Sequence, residues 1–545
     1  MLDQFPTTKD FLASRRLRRN TVMALLISSV VLVVGTMTAV HALVPQTDPM
    51  KILIGSVAII GCVALPVLIC YRPRLGLYLL FIGALLFPGT YELATPTMPT
   101  SYAPFWWNLS TIGWYNLSTT ALTGLAFSPA ELIMMLTFTV WFVRAISLRQ
   151  FQWRNGAFFW PITAYMLMVV FGFCNGLSHG ASSTMALYEV RGQAYFFLTY
   201  LMAVNLITDR RQLKTLLWII VICNGLQGLF GTITYWMQRD TITVDGFMAH
   251  DESLILNLIF FVAIMAGTLG IDRRIKWAAM MLCPLALVAV LGNQRRASIA
   301  AFIIAFVPLM PILWVILEKR RKQIGTLTLA LLALAAVYLP LAWGSNAAWA
   351  LPARAIRSQT DPSARDAASN TYRASEEYDC VVTRDASPIF GYGYGRLFLQ
   401  PVPLPQVNTD FVYYMPHNSL LWVWMRIGHI GFFLFWIMVA GFIVRGLEML
   451  KKVRMPETRM VGLLAILMLL MMITFGKYDL ALVDLRILTL AAIMLGALGI
   501  LPSLDKASGD EAIRDASPDL EDIETNDDTT YDHLAPMRQG GAMPF

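Results

Sequence analysis

The chain has 545 residues, of which 57% are hydrophobic and 14% charged, with a mean hydropathy of +0.58. Soluble chains average about 45–50% apolar and about 25% charged residues, so this composition excludes an ordinary soluble enzyme, a disordered protein and a disulfide scaffold. A polytopic membrane protein remains, since a span needs only about 20 apolar residues.

The net charge of +7 is unevenly spread. From Ser503 onward, eleven Asp and Glu stand against three Lys and Arg, a net −8, so the rest of the chain holds +15. A basic body could suggest nucleic acid. In a membrane protein the positive-inside rule accounts for it, and no nucleic-acid partner is expected.

In chain order, segment 1–20 is basic (Arg15, Arg16, Arg18, Arg19) and leads into an apolar stretch with no small-residue cleavage pattern. It reads as a cytoplasmic lead into a first span rather than as a cleavable signal. Apolar runs of spanning length predict about fourteen transmembrane helices, at 21–43, 51–70, 75–88, 129–147, 157–176, 188–207, 212–236, 254–271, 276–292, 297–317, 324–343, 417–445, 457–476 and 484–501. With the N-terminus cytoplasmic, the inner short segments hold 25 Lys and Arg and the outer short loops six. That bias sets the orientation and places both termini in the cytoplasm.

The expected domains are thus the N-terminal segment 1–20, a first part of the bundle over 21–343, a large periplasmic loop over 344–416, a last part over 417–501, and an acidic tail over 502–545. The tail has too little apolar surface to fold alone. In the outer segment 89–128, Trp106, Trp107, Trp114 and Tyr115 read as interfacial anchors. Within the large loop, the polar, Ala-rich stretch 362–384 predicts a helix, and Gly391-Tyr392-Gly393-Tyr394-Gly395 a tight turn. Five of the six cysteines lie in apolar spans without CxxC spacing, and Cys380 stands in the loop, so neither a zinc site nor a disulfide framework is legible.

Three arginines lie on the outer face against the positive-inside preference: Arg191, and the pair Arg295 and Arg296 in a short turn. They either snorkel to headgroups or form an anion site, because guanidinium forks bind phosphate oxygens bidentately. His417 stands on the same face, where the large loop meets the twelfth span, and Asn418 could orient its imidazole. A neutral imidazole takes a proton from a hydroxyl, and arginines stabilise a departing pyrophosphate. Together these are the parts of a transfer from a pyrophosphate-linked donor.

Arg426 lies about 13 Å along the twelfth helix and is either functional or paired with a carboxylate such as Glu131 or Asp484. His429 reads as a satisfied interior histidine. His250-Asp251-Glu252 looks like a metal-ligand cluster, but three adjacent side chains rarely converge on one ion, and no metal is expected. Lys477, Asp479, Asp484 and Arg486 read as ion pairs around a short loop.

Four segments resemble the O-antigen ligase/polymerase superfamily of bacterial membrane glycosyltransferases. Ser387-Pro388-Ile389-Phe390-Gly391-Tyr392-Gly393-Tyr394-Gly395 is similar to its "hPl.GvG.G" segment. His417-Asn418-Ser419-Leu420-Leu421, followed by Gly428-His429-Ile430-Gly431, resembles its His-Asn-x-x-Leu motif and later Gly-x-x-Gly. Gln294-Arg295-Arg296-Ala297-Ser298 resembles its "SRga" turn, with Arg296 at the family position and Arg295 where the family has Ser. Val190-Arg191-Gly192-Gln193-Ala194-Tyr195-Phe196 resembles its Arg before an aromatic-rich span.

The likeness covers roughly 185–445, and fourteen spans exceed the family's usual dozen or so. The resemblance implies a C-type, metal-independent, inverting glycosyltransferase of the bacterial inner membrane. Such an enzyme passes a glycan from an undecaprenyl-pyrophosphate carrier to an acceptor hydroxyl of a glycan or lipid A-core at the periplasmic face. It implies His417 as general base, Arg191 and Arg296 as pyrophosphate-binding catalytic residues, and Arg295, Asn418, Gly393, Tyr394 and Arg426 as substrate contacts, with the large loop capping the site. A repeat-unit polymerase shares these motifs. A secondary transporter or lipid flippase is the non-enzyme alternative; it would place its site near the bilayer midplane.

Overall fold

A computed structural model describes residues 64–88, 105–106, 127–147, 153–238, 247–404 and 413–505. Among them there is no strand. The helices are α1 (Arg74–Leu86), α2 (Pro129–Ser147), α3 (Phe159–Ser178), α4 (Ser183–Leu206), α5 (Arg210–Gln238), α6 (His250–Leu269), α7 (Arg273–Gly292), α8 (Arg296–Ile316), α9 (Arg321–Ala342), α10 (Leu351–Arg357), α11 (Ala364–Ala386), α12 (Ser419–Lys452), α13 (Pro456–Gly476) and α14 (Leu485–Leu498).

Nine of the described helices are long and apolar enough to cross a bilayer: α2, α3, α5 to α9, α12 and α13. The chain is an all-α polytopic membrane protein. Helices α1 and α14 are shorter but apolar. Helix α4 falls outside the nine; it carries Glu189, Arg191 and Gln193 and buries two of them. The expected span 21–43, the tail beyond Asp505, and Trp107, Trp114 and Tyr115 lie outside the described residues, as does 51–63 of the second expected span.

Helices α6 and α13 are enclosed on most of their faces, whereas α9 buries almost none of its surface. Leu329, Leu332, Leu334, Val337 and Leu341 on α9 are all at least 60% exposed, which suits a helix bathed in lipid. Around the α6–α13 centre, α8 packs on α13, α4 on α14, α5 on α7 and α3 on α12. Trp106 is not an interfacial anchor. It is buried, its indole N–H donates to the Gly83 carbonyl, and Phe105 stacks edge-on against it.

Each end of the bundle is tied by its own polar contacts. At one end, Arg74 meets Asp209 and Thr208, Arg210 meets Glu457, and Lys214 meets Asp272. At the other, Arg486 at the start of α14 is fully buried; it reaches Asp251 and Glu252 of α6 and the Ala84 and Leu85 carbonyls at the end of α1. Of the expected cluster around that loop, Asp484 caps α14 through the Ile487 N–H, and Lys477 and Asp479 pair with Glu377 and His250. The ions therefore pair with distant elements rather than with one another.

Helix α12 is broken at Gly428, whose φ of 67° and ψ of −169° lie outside the helical region. A break inside a span frees backbone groups that lipid cannot satisfy. The loop residues 388–393 satisfy them. Tyr392 and Gly393 N–H donate to the Met425 and Arg426 carbonyls, while His429 and Ile430 N–H donate to the Pro388 and Ile389 carbonyls.

The approach requires glycine on both sides. A Cβ on Gly391 would sit 2.4 Å from the Arg426 carbonyl, and one on Gly428 would sit 2.4 Å from the Gly391 nitrogen. Both also have positive φ, where L side chains are strained. His429 is not interior: it is exposed, and its Nδ1 pairs with the Pro388 carbonyl.

Candidate active site

Arg426, two residues before the break, is fully buried with all its nitrogens engaged. Nε donates to Glu189 Oε1 at 2.8 Å, Nη1 to the Gly393 and Arg396 carbonyls, and Nη2 to the Tyr414 carbonyl at 2.7 Å. Its carboxylate partner is Glu189 of α4; Glu131 and Asp484 are committed elsewhere. The Trp422 indole also donates to Glu189. Gly393 and Tyr394 are buried beneath this clamp, Tyr394 against Trp422 and against Gly176 of α3. These three residues hold the loop onto α12 and α3, and none of them lines the cavity described next.

That cavity, of about 340 Å³, lies where the starts of α6 and α8, helices α10 and α11, and the α13–α14 connection converge. Four arginines line it: Arg295 and Arg296 from the α7–α8 turn, Arg354 from α10 and Arg373 from α11. Two carboxylates line it as well, Asp366 bound to Arg296 at 3.2 Å and Asp479 bound to His250 at 2.8 Å.

The arginine turn is strained and pinned. Gln294 has φ 59°, the one positive φ of a non-glycine among the described residues. Such outliers persist only where surroundings enforce them. Here Asn293, fully buried, accepts from the Phe247 and Met248 N–H groups and donates to Ser253 Oγ, while Arg354 donates to the Gln294 side chain. Burial, together with the neighbouring Arg357 and Arg296 charges, pulls Arg354 below its ordinary value against the opposing pull of Asp366. Arg354 Nε is buried with no hydrogen-bond partner among the described residues. Arg373 has no ion-pair partner among them. A bound anion would satisfy both.

His417 stands beside this cavity, where α11 faces the start of α12. Glu376 accepts the His417 backbone N–H at 2.9 Å and faces its Nδ1 at 3.1 and 3.2 Å. Tyr372 packs edge-on against the ring. Burial works to lower the His417 pKa, but the hydrogen bond and charge of Glu376, joined by Asp479, overcome it and leave it raised above its ordinary 6.5. Asn418 does not orient the imidazole. Its Oδ1 caps α12 by accepting the Leu421 N–H, and its Nδ2 donates to Glu377. The expected loop helix is α11, and it supplies Asp366, Arg373, Glu376 and Glu377 along its length.

The expected site residues are therefore only partly gathered. Arg295 and Arg296 line the cavity and His417 adjoins it. Arg191 does not line it: its Nε donates to Glu131 Oε1 at 2.6 Å, and its guanidinium lies 5.8 Å from the Tyr195 ring centre. Glu131 is itself fixed by a reciprocal cap with Ser128 at the start of α2. The His250-Asp251-Glu252 run is split, with His250 turned to Asp479 and the two acids to Arg486. No group of three His, Cys, Asp or Glu that could hold a metal ion occurs among the described residues.

Reading the residues alone missed Glu376, Arg354 and Arg373. All three lie in the polar loop, and only the helical spacing of 366, 373 and 376 hinted that they share a face.

No curated protein matches the chain significantly. The family model described as O-antigen ligase matches residues 259–436. That stretch runs from α6 past the break in α12 and contains Arg295, Arg296, the large loop and His417. Over that third of the chain the protein is similar to the O-antigen ligase family.

Proposed function

We propose that this protein transfers a glycan from an undecaprenyl-pyrophosphate carrier to an acceptor hydroxyl at the periplasmic face of the bacterial inner membrane, in the manner of an O-antigen ligase. The observation that carries the reading is the carboxylate-held imidazole of His417 beside a cavity lined by four arginines. The cavity's positive charge suits a pyrophosphate. Glu376 holds Nδ1, so Nε2 is the ring nitrogen left to take the acceptor proton, and the Glu376 carboxylate stabilises the imidazolium that forms. Attack on the anomeric carbon opposite the departing pyrophosphate inverts its configuration. Arg295 and Arg296 bind the departing charge. We assign Arg191, with Glu131, to an adjoining role in donor binding, and Gly393, Tyr394 and Arg426 to the scaffold.

The proposed frame keeps both termini cytoplasmic, fourteen spans, the domain limits 1–20, 21–343, 344–416, 417–501 and 502–545, and the loop as cap. The short-loop charge bias supports the orientation.

The test is transfer by purified protein from lipid-linked donor, with EDTA present throughout and two acceptors in parallel. Transfer to lipid A-core is expected. Transfer only to another carrier-linked glycan would identify a polymerase. Loss of activity on chelation would overturn the metal-independent mechanism, and transport of the donor in vesicles without any transfer would replace the enzyme reading.

The raised His417 pKa has a direct consequence for rate. The base works when neutral, so kcat/KM should fall as pH drops through a value above 6.5, the ordinary histidine value. Glu376→Gln removes the larger raising influence and leaves Asp479, which raises the pKa, against burial and Arg373, which lower it. The acidic limb of the profile should then move to lower pH, with a slower rate at its plateau. A limb that stays in place would refute the pairing.

A further inference from the structure

A second carboxylate–imidazole pair stands in the cavity itself. His250 opens α6, lines the cavity, and holds Asp479 through Nδ1 at 2.8 Å. Asp479 is fixed on its other side. Its Oδ1 accepts the Leu480 N–H, and its carbonyl accepts from Ser419 Oγ, two residues beyond His417. Burial raises the Asp479 pKa, but the His250 hydrogen bond and charge, the Leu480 N–H and the nearby His417 outweigh it and hold the carboxyl below its ordinary range. Asp479 is therefore an anion, held against Nδ1 of the ring. The other charged or titratable groups around the cavity are Tyr478, Asp366, and the four arginines already named.

Resting on the glycosyl-transfer reading, we propose that His250 is a further catalytic residue: the proton donor to the pyrophosphate leaving group, opposite in role to His417. As the acceptor oxygen bonds to the anomeric carbon, its proton passes to His417. The bond from that carbon to the phosphate oxygen breaks, both electrons staying with the oxygen, and His250 hands its proton to that phosphate. The products are the glycoside and a protonated carrier pyrophosphate. His417 then loses its proton to water and His250 regains one, closing the cycle. Asp479 is a positioning residue, holding the ring toward the arginines.

The experiment is the pH dependence of kcat/KM for the purified full-length protein with lipid-linked donor. The wild type is expected to give a bell, His417 setting the acidic limb and His250 the alkaline one. His250→Gln should lose the alkaline limb, keep the acidic one, and slow kcat by about 10²-fold, the lower end of general acid–base effects, with little change in KM for donor. Asp479→Asn, which removes the charge that holds the ring, should likewise slow kcat and alter the alkaline limb with little change in KM for donor; this second variant decides the matter where His250→Gln does not accumulate. An alkaline limb unchanged in either variant, or no such limb in the wild type, overturns the proposal. Absence of transfer by the wild type would instead overturn the glycosyl-transfer reading beneath it.

Discussion

His417→Ala should yield a protein that inserts and folds but transfers no glycan. Removing a positioned general base costs about 10²- to 10⁴-fold, which corresponds to roughly 3–5 kcal/mol of transition-state stabilisation. The structural loss is smaller. His417 precedes α12, and its side chain is 32% exposed. Glu376 keeps the backbone N–H of residue 417 as a partner after the ring is gone. The check is transfer of labelled glycan by purified variant, together with surface glycan on gels and the amount of protein in the membrane. Activity within a few-fold of the wild type at normal abundance would remove His417 from the chemistry.

The largest stability effect is expected at the opposite kind of position. Arg426→Met deletes the hydrogen bonds that bind α12 to α4 and to the large loop, and strands Glu189 in the interior. Removing one partner of a buried ion pair typically costs about 3–5 kcal/mol, because the other charge is left uncompensated. A protein of ordinary stability has only about 5–15 kcal/mol to lose. Arg426→Met should therefore accumulate poorly and melt early in detergent. Adding Glu189→Gln should recover part of the loss, since the stranded charge is then removed. An Arg426→Met protein that is as stable as the wild type yet inactive would return this arginine to the substrate site and refute the clamp.

The nine described helices of spanning length were legible because lipid imposes a long, unbroken apolar run that folding elsewhere does not disturb. The runs read at 129–147 and 457–476 correspond to Pro129–Ser147 and Pro456–Gly476. The catalytic candidates were legible as exceptions to charge placement and as motifs. Their partners were not, because pairing joins residues far apart in the chain. Arg426 finds Glu189 at a separation of 237 residues and Arg191 finds Glu131 at 60. No local pattern distinguishes Glu189 from Glu131 as the mate of Arg426; only the packing of α4 beside α12 does. Asn418 misled for the same reason. An Asn next to a His suggests an orienting bond, but an Asn before a helix is also a capping residue, and the cap prevailed.

The break in α12 bears on more than the shape of the site; it predicts an order of assembly. The loop residues 388–393 and the helix residues 425–430 that complete each other lie within about forty positions, so this joint closes over a short stretch of chain and at modest entropic cost. The Glu189–Arg426 link, spanning 237 residues, is a long-range contact that closes on a joint already made. The loop residues 388–393 and the helix residues 425–430 are thus expected to open as one cooperative unit. Amide hydrogens at Tyr392, Gly393 and His429 should exchange together, at one rate, and apart from those of the lipid-facing helix α9.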